Sequence, residues 1–448
     1  MAGDGNGVTF SDQGEAVMWG ARAVAAVLVG LWAAALGQTS SRRTASAAPP
    51  VKPGEARRAP LYVIRVPVHA GKRAEVVEKR GFIDRKGRVV IEPRFDLALP
   101  FREGLAAVAT WGRVHFAPGK GSVKIPQWGF IDGTGQYVIK PRYHLASTFS
   151  EGLARVEELI DFRVNAYYID RTGRRADMVA HESIMSSGSF ADGLASAKDK
   201  RSHKWGFIDR RGRWAIRPRF TQAFRFSGGL ALVKLGGTVD RHGLVSGGKY
   251  GFVDRSGRFA VEPKFVRAEF FSDGLAPVNV GGKPTAFLGV RGGKWGFIDR
   301  RGQFVIRPTF VWARGFADGL APVNVGGSSA PKGYPLGGRW GFVDKKGRIV
   351  IEPQFTDAAT FSEGLAAVNV GGDRRDSGSS GKTPPKWGYI DRTGKLAIAA
   401  RYDGAFAFRD GLAYVLLGKR GRYIGRTGKV IWEEPQLKTP DPSAKPSP

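Results

Sequence analysis

Cysteine is absent from this 448-residue chain. That excludes disulfides, thiolate metal sites, a cysteine nucleophile and a lipidated cysteine anchor. Methionine (4) and histidine (6) are scarce. His69, His115, His144, His181, His203 and His242 fall at unrelated positions, and none forms a His-x-x-x-His pair. His181-Glu182 lacks the second histidine of a zincin helix, and no Gly-x-Ser-x-Gly nucleophile elbow is present. Acidic residues are also short: 40 Asp+Glu stand against 70 Lys+Arg, a formal charge of +30. Such a field favours anionic partners, whether nucleic acid, phosphate-bearing envelope polymers or membrane surfaces.

The apolar run Ala23 to Leu36 falls short of the roughly 20 residues a membrane-spanning helix needs. Arg22 precedes it and the small polar stretch Gly37 to Ser41 follows, which is the layout of a secretory signal peptide. Asp4, Asp12 and Glu15 make the extreme N-terminus acidic, so Met18 fits better as the start of the signal. Cleavage is expected after Ala33-Ala34-Ala35 or Ala45-Ser46-Ala47, and an uncleaved signal anchor is the alternative. Residues 1–48 thus read as signal peptide or signal anchor, and 49–60 as a Pro/Arg-rich linker. Residues 61–435 read as a repeat domain and 436–448 as a disordered Pro-rich tail.

What the chain has in abundance is glycine (63), proline (26) and aromatic residues, arranged periodically. Gly81-Phe-Ile-Asp-Arg-Lys-Gly-Arg-Val-Val-Ile-Glu-Pro-Arg-Phe95 leads into Phe101-Arg-Glu-Gly-Leu-Ala-Ala-Val108. The same frame returns at Trp128, Tyr168, Trp205, Tyr250, Trp295, Trp340 and Trp387, and a half copy runs from Arg422 to Pro435. The period of roughly 35–48 residues is that of solenoids and propellers.

One unit reads as three strands. Trp-Gly-Phe-Ile is an aromatic and β-branched strand, and Asp-x-x-Gly-Arg is a turn. Val-Val-Ile-x-Pro returns, with proline expected to stop the pairing. After a connection of about ten residues, Phe-x-[Glu/Asp]-Gly leads into the strand Leu-Ala-x-Val. Trp128 and Phe130 share one strand face, Gly129 and Ile131 the other, and no unit can bury both alone, so copies must stack. The fold class is therefore all-β, a tandem array of about eight three-stranded repeats. An open β-superhelix or solenoid is preferred over a closed propeller-like ring. The ring has one hint in its favour: Leu61 to Val66 resembles an orphan third strand, and the terminal half copy lacks one.

The frame Lys/Arg-Trp-Gly-[Phe/Tyr]-[Ile/Val]-Asp, the Gly turn, x-Pro-x-[Phe/Tyr] and Phe-x-x-Gly-Leu-Ala resemble the bacterial WG-repeat family from about Gly81 to Pro435. The resemblance implies a β-repeat module, often exported, that mediates binding, and it transfers no catalytic residues. The third copy departs most, with Ala166-Tyr167 in place of Trp-Gly, either as a structural seam or by drift.

Asp84, Asp132, Asp170, Asp209, Asp254, Asp299, Asp344 and Asp391 each stand alone at a turn, so a turn role is expected and a metal site is not. Trp128, Trp205, Trp295, Trp340 and Trp387 read as core of the stack, whereas Trp111, Trp214 and Trp312 are expected to be more exposed. Asp376 to Thr383 mimics a phosphate loop but starts on Asp where Gly is required, with no helix pattern after it. The glutamates Glu92, Glu262, Glu352 and Glu103, Glu151, Glu363 recur in frame positions, which speaks for structure.

One constellation carries chemistry. The turn cations Arg85, Lys86, Arg88; Arg210, Arg211, Arg213; Arg300, Arg301; and Lys345, Lys346, Arg348 recur at equivalent places, so they form a basic stripe suited to a linear polyanion. The expected protein is an exported, non-catalytic binding or scaffold protein of the cell envelope, with no cofactor and no metal. It would be secreted, periplasmic or at the cell surface, and its partner an anionic envelope polymer or a protein. The alternatives are a cytoplasmic nucleic-acid-associated protein, if the N-terminus is not a signal, and an envelope hydrolase on a propeller-like scaffold.

Overall fold

A computed structural model describes residues 60–436, apart from 71–74, 116–121, 161–162, 177–183, 240–244, 286–289, 330–334, 372–384 and 419. The readings of a signal at 1–48, a linker, a Pro-rich tail and a mock phosphate loop at Asp376 to Thr383 concern residues outside this range or at its edge.

The strands form nine antiparallel sheets, each built from consecutive strands, and arranged as a nine-bladed β-propeller ring. Blade 1 spans Tyr62–Phe95, blade 2 Leu97–Tyr143, blade 3 Leu145–Ile169, blade 4 Ile184–Phe220 and blade 5 Gln222–Phe265. Blade 6 spans Arg267–Phe310, blade 7 Trp312–Phe355, blade 8 Asp357–Tyr402 and blade 9 Gly404–Glu433. This overturns the open superhelix, while the nine blades stay within reach of the expected count of about eight repeats. Most blades have four strands, three are described in blades 1 and 3, and blades 5, 6 and 7 carry an extra two-stranded hairpin. The unit read as three-stranded is thus short by one. In blade 6 a two-residue strand, Arg267–Ala268, lies in the supposed connection and precedes Ala276–Val280, Lys294–Ile298 and Phe304–Phe310.

The repeat's glycine and proline explain each other. Trp295 pairs with Phe310 and Phe297 with Ile306, so two residues of the third strand oppose four of the fourth. The slack is a bulge through Arg307 and Pro308, and it folds back onto Gly296. A Cβ on Gly296 would lie 2.5 Å from the Ile306 carbonyl oxygen and 2.7 Å from the Pro308 nitrogen. Proline therefore does not end the strand, as its missing N–H suggested; it occupies the bulge, where no ladder bond is required, and pairing resumes at the phenylalanine.

The core lies between blades. Trp295, Phe297, Ile306 and Phe310 of blade 6 pack against Ala313, Phe316, Ala321 and Val323 of blade 7. Trp128, Phe130, Ile139 and Tyr143 of blade 2 meet Ala146, Phe149, Ala154 and Val156 of blade 3 in the same way. An edge-to-face aromatic pair marks the interface, with Phe297 to Phe316 at 4.8 Å and Phe342 to Phe361 at 5.0 Å. Trp111 is exposed as expected, while Trp214 and Trp312 are half-buried, Trp312 lying 5.0 Å from the ring of Trp295.

Blade 9 packs on blade 1. Tyr423 lies 5.6 Å from Tyr62, and Leu412, Ile431 and Trp432 pack on Ile64 and Ile83. The Tyr423 hydroxyl donates to the Val63 carbonyl (2.8 Å) and the Tyr62 hydroxyl to that of Asp410 (2.7 Å). Arg65 grips the buried Glu434 carboxylate with two nitrogens, at 3.0 and 3.2 Å. The orphan strand and the half copy do meet across this closure, by side-chain packing, while each pairs within its own blade. Blade 3 is not the seam, because Ser150 still donates its hydroxyl to the Phe190 carbonyl of blade 4 (2.8 Å).

Two glycine substitutions test this account. Gly296→Ala is expected to cost about 1–3 kcal/mol by forcing the bulge away. Gly302 has φ of +78° and faces Val261 of blade 5, so Gly302→Val is expected to cost roughly 1–2 kcal/mol or more. Thermal unfolding followed by circular dichroism measures both, and a wild-type melting curve for either variant would contradict its assignment.

Candidate anion-binding face

The turn between the third and fourth strands is built by its aspartate. Oδ1 of Asp84 accepts the backbone N–H groups of Lys86 (2.8 Å) and Arg88 (3.0 Å), and Asp344 does the same for Lys346 and Arg348. Asp132, Asp170, Asp209, Asp254, Asp299 and Asp391 repeat this pattern, so each carboxylate is occupied by its own turn.

Each turn also leans on the preceding blade. Gly302 rests on Val261, Gly347 on Ile306 and Gly394 on Ile351, and Gly87 of blade 1 rests on Ile431 of blade 9. The first cation of the turn reaches over the Phe-x-x-Gly turn of that same preceding blade. Arg210 lies over Gly152, Arg300 over Gly229, Arg392 over Gly319 and Arg85 over Gly411. Both kinds of turn therefore share one face of the ring.

A second series of carboxylates ties the blades together there. The Asp318 carboxylate accepts the Gly364 N–H of the next blade at 2.8 Å, Asp273 that of Gly319 at 2.9 Å and Glu363 that of Gly411 at 3.0 Å. Glu103 accepts the N–H groups of Glu151 and Gly152 at 2.7 and 2.9 Å. The glutamates Glu103, Glu151 and Glu363, read from the repeat frame as structural, are placed as inter-blade clamps with left-handed backbone angles. The frame gives no sign of this acceptor role, because the partner N–H lies one blade away.

The cations singled out from the sequence are all exposed, on the turns of blades 1, 4, 6 and 7. Ring closure arranges them around a circle instead of along a line, so they do not converge into a pocket. Their availability differs. Arg88, Arg213 and Arg348 are paired with Asp84, Asp209 and Asp344 at 2.7, 3.0 and 2.7 Å. Arg85, Arg210 and Arg300 are folded over a neighbouring turn, Arg210 coming within 4.0 Å of Glu151. Lys86, Arg211, Arg301 and Lys346 project from the middle of their turns, and among the described residues no ion pair holds them.

Three further arginines on this face, Arg102, Arg225 and Arg409, escaped the sequence reading because they lie outside the turns it followed. Their signal was a departure from the frame: Arg102 and Arg409 follow the inner phenylalanine, where other blades have Ser150, Ser272 or Ser362. The opposite face carries the connections between second and third strands, including the hairpins at Thr238–Ser246, Lys283–Arg291 and Ser328–Leu336.

The arrangement defines an all-β propeller of tandem repeats. Residues 81–109, 128–158, 205–238, 250–283, 295–328, 340–372 and 387–420 match the WG containing repeat, together just over half of the chain, and the chain belongs to this family. No curated protein matches it in sequence. Among solved structures it is similar to "KlHsv2 with loop 6CD replaced by a Gly-Ser linker", at 8% identity over 61% of this chain and 89% of that one, TM-score 0.31. The Pyrococcus horikoshii acylaminoacyl peptidase is similar at 10% identity over 72% and 56%, TM-score 0.32. The extracellular domain of a putative one component system from B. thetaiotaomicron is similar at 10% identity over 84% and 59%, TM-score 0.29. Likenesses this distant carry no functional argument.

The turn carboxylates make the fold sensitive to acid. The Ser256 hydroxyl, with backbone N–H groups, holds Asp254 below its ordinary 3.8 against partial desolvation. The Thr393 hydroxyl does the same for Asp391. A carboxyl depressed on folding stabilises the fold above its unfolded value and loses that contribution as pH falls through the folded one. The apparent Tm should therefore drop below about pH 4. Asp391→Asn, which cannot ionise, should lose less over the same range, and identical acid profiles would exclude this carboxyl.

Proposed function

We propose that the protein is an exported, non-catalytic scaffold of the cell envelope whose cationic turn face holds an anionic polymer. The observation that carries the reading is the recurrence of exposed turn cations on one face of a closed ring, with Lys86, Arg211, Arg301 and Lys346 left unpaired among the described residues. Cations spaced around a rigid rim neutralise successive charges of a flexible chain, and the released counterions drive association. Selectivity would come from charge spacing, with the variable loops of the opposite face left for a protein partner. Export rests on the apolar run Ala23 to Leu36 behind Arg22.

Two measurements test the two halves of this reading. N-terminal mapping of the mature protein from fractionated cells should find a start between about Gln38 and Pro49 in the exported fraction. A start at Met1 or Met18 in the soluble cytoplasm would redirect the search to nucleic acid. Binding of long-chain polyphosphate should weaken steeply with salt. Replacing Lys86, Arg211, Arg301 and Lys346 together by alanine should lower affinity at least about tenfold and flatten the salt dependence. An unchanged salt slope would place the polymer elsewhere.

A further inference from the structure

The face opposite the turn cations repeats a feature of its own. In blades 5, 6 and 7 the second strand ends on an aliphatic residue directly across the ladder from a cation. Leu235 lies opposite Lys249, Val280 opposite Lys294 and Val325 opposite Arg339. Directly opposed residues project to the same side of a sheet, so each pair sets one apolar and one cationic side chain together. The aliphatic members are 39%, 42% and 37% exposed, although the residues that precede them in the strand are buried. A single exposed aliphatic residue is ordinary, but three in one register on adjacent blades, each beside a cation, make a surface.

The base on which each pair stands is fixed. Beyond the pair the ladder is interrupted by two facing Gly-Gly steps and resumes as the hairpins Thr238–Ser246, Lys283–Arg291 and Ser328–Leu336. A Cβ on Gly293 would lie 2.4 Å from the Val280 carbonyl oxygen, and one on Gly338 2.5 Å from that of Val325. Buried side chains of the second strand pin the returning arm. The Asn279 and Asn324 amides donate to the Gly292 and Gly337 carbonyls at 3.3 Å, and the Lys234 ammonium reaches the Val245 carbonyl at 3.5 Å. A ligand docking there has little left to order.

Charge on this face differs from that of the turns, where every cation has an aspartate beside it. Lys249, Lys294 and Arg339 are exposed, and among the described residues no ion pair holds them. The blade 6 hairpin adds Lys283 opposite Arg291, and the described parts of the three hairpins and their bases contain neither Asp nor Glu. Blade 8 marks the boundary of the surface: Val370 lies opposite Lys386, but Lys386 is paired with Asp403. A polyphosphate would satisfy the cations and leave the aliphatic side chains in water. A flat lipid surface would meet the hairpins before the residues at their base. An extended peptide is narrow enough to reach them, and it can offer carboxylates and apolar side chains from one strand.

We propose that the hairpin bases of blades 5, 6 and 7 form a docking surface for an extended acidic segment of a protein partner, one that mixes carboxylate and aliphatic side chains. The inference rests on the assignment of this face to a protein partner. It shares no residue with the turn cations, so either binding reading can fail without the other.

Fluorescence anisotropy of the full chain with two labelled synthetic peptides tests it, one repeating Glu-Leu-Glu-Ser and one with serine in place of each leucine. The leucine peptide is expected to bind at least about fivefold tighter. Leu235→Ser/Val280→Ser/Val325→Ser should shrink that preference to within about twofold while leaving the serine peptide's affinity unchanged. Lys294→Ala/Arg339→Ala should weaken both peptides about tenfold and flatten their salt dependence. The turn variant Lys86→Ala/Arg211→Ala should change neither by more than about twofold. Polyphosphate run on the same variants keeps the two readings apart, since its binding depends on the turn cations alone. Far-ultraviolet melting curves establish that the variants are folded. Three results would overturn the proposal. The leucine peptide could fail to outbind the serine peptide, its preference could survive in the triple variant, or the triple variant could abolish sedimentation with vesicles of equal phosphatidylcholine and phosphatidylglycerol, which would make the occupant a membrane.

Discussion

A blade with an apolar residue on each face cannot end an array. Trp295 and Phe297 look toward blade 7 while Ile298 packs among Tyr250, Phe252 and Val261 of blade 5, so each sheet is buried only when flanked on both sides. An open array would leave one such face exposed at each end. Closure of blade 9 on blade 1 removes both ends at once, and every other feature of the molecule inherits its position from that constraint. The turn cations lie on a circle because the blades do. The inter-blade carboxylates find an N–H one blade away because neighbouring turns lie side by side on one face.

Much of this was legible in the residues. The strands, the Asp turn with its Gly and the two-faced alternation follow from local chemistry and the structure bears them out, and of the frame tryptophans Trp128, Trp295 and Trp340 are buried while Trp205 and Trp387 are half-buried. The ring did not follow, because whether a stack of units closes depends on a small angle between neighbours that no single residue type encodes. The fourth strand was hidden for a related reason: Arg267–Ala268 and its counterparts are two residues long, too brief to show alternation. Proline was misread because its lack of an N–H signals an end of pairing, while the bulge over Gly296 offers a second place where that N–H is not needed.

The candidate sites divide along the same line. The rim cations were visible because they repeat in frame. Arg102 and Arg409 interrupt the frame at a position where other blades carry a serine. In a repeat protein the scaffold is written in what recurs, and an individual property in what departs from it.

The joint between blades 9 and 1 has a further consequence. Every sheet is contiguous in sequence, and the ends are joined by the Tyr62, Arg65, Tyr423 and Glu434 side chains without sharing a strand. The inter-blade clamps made by Glu103, Asp273, Asp318 and Glu363 span 46 to 49 residues, whereas the hydrogen bonds at the seam span 348 to 369. Such a chain can assemble progressively from its N-terminus as it emerges, leaving one late docking event to complete the circle. It also means that, among the described residues, no closing strand fixes the number of blades. Gain or loss of one repeat would alter the rotation per blade by a small amount and leave the joint's chemistry intact, a route by which rings of different diameter could arise from one unit.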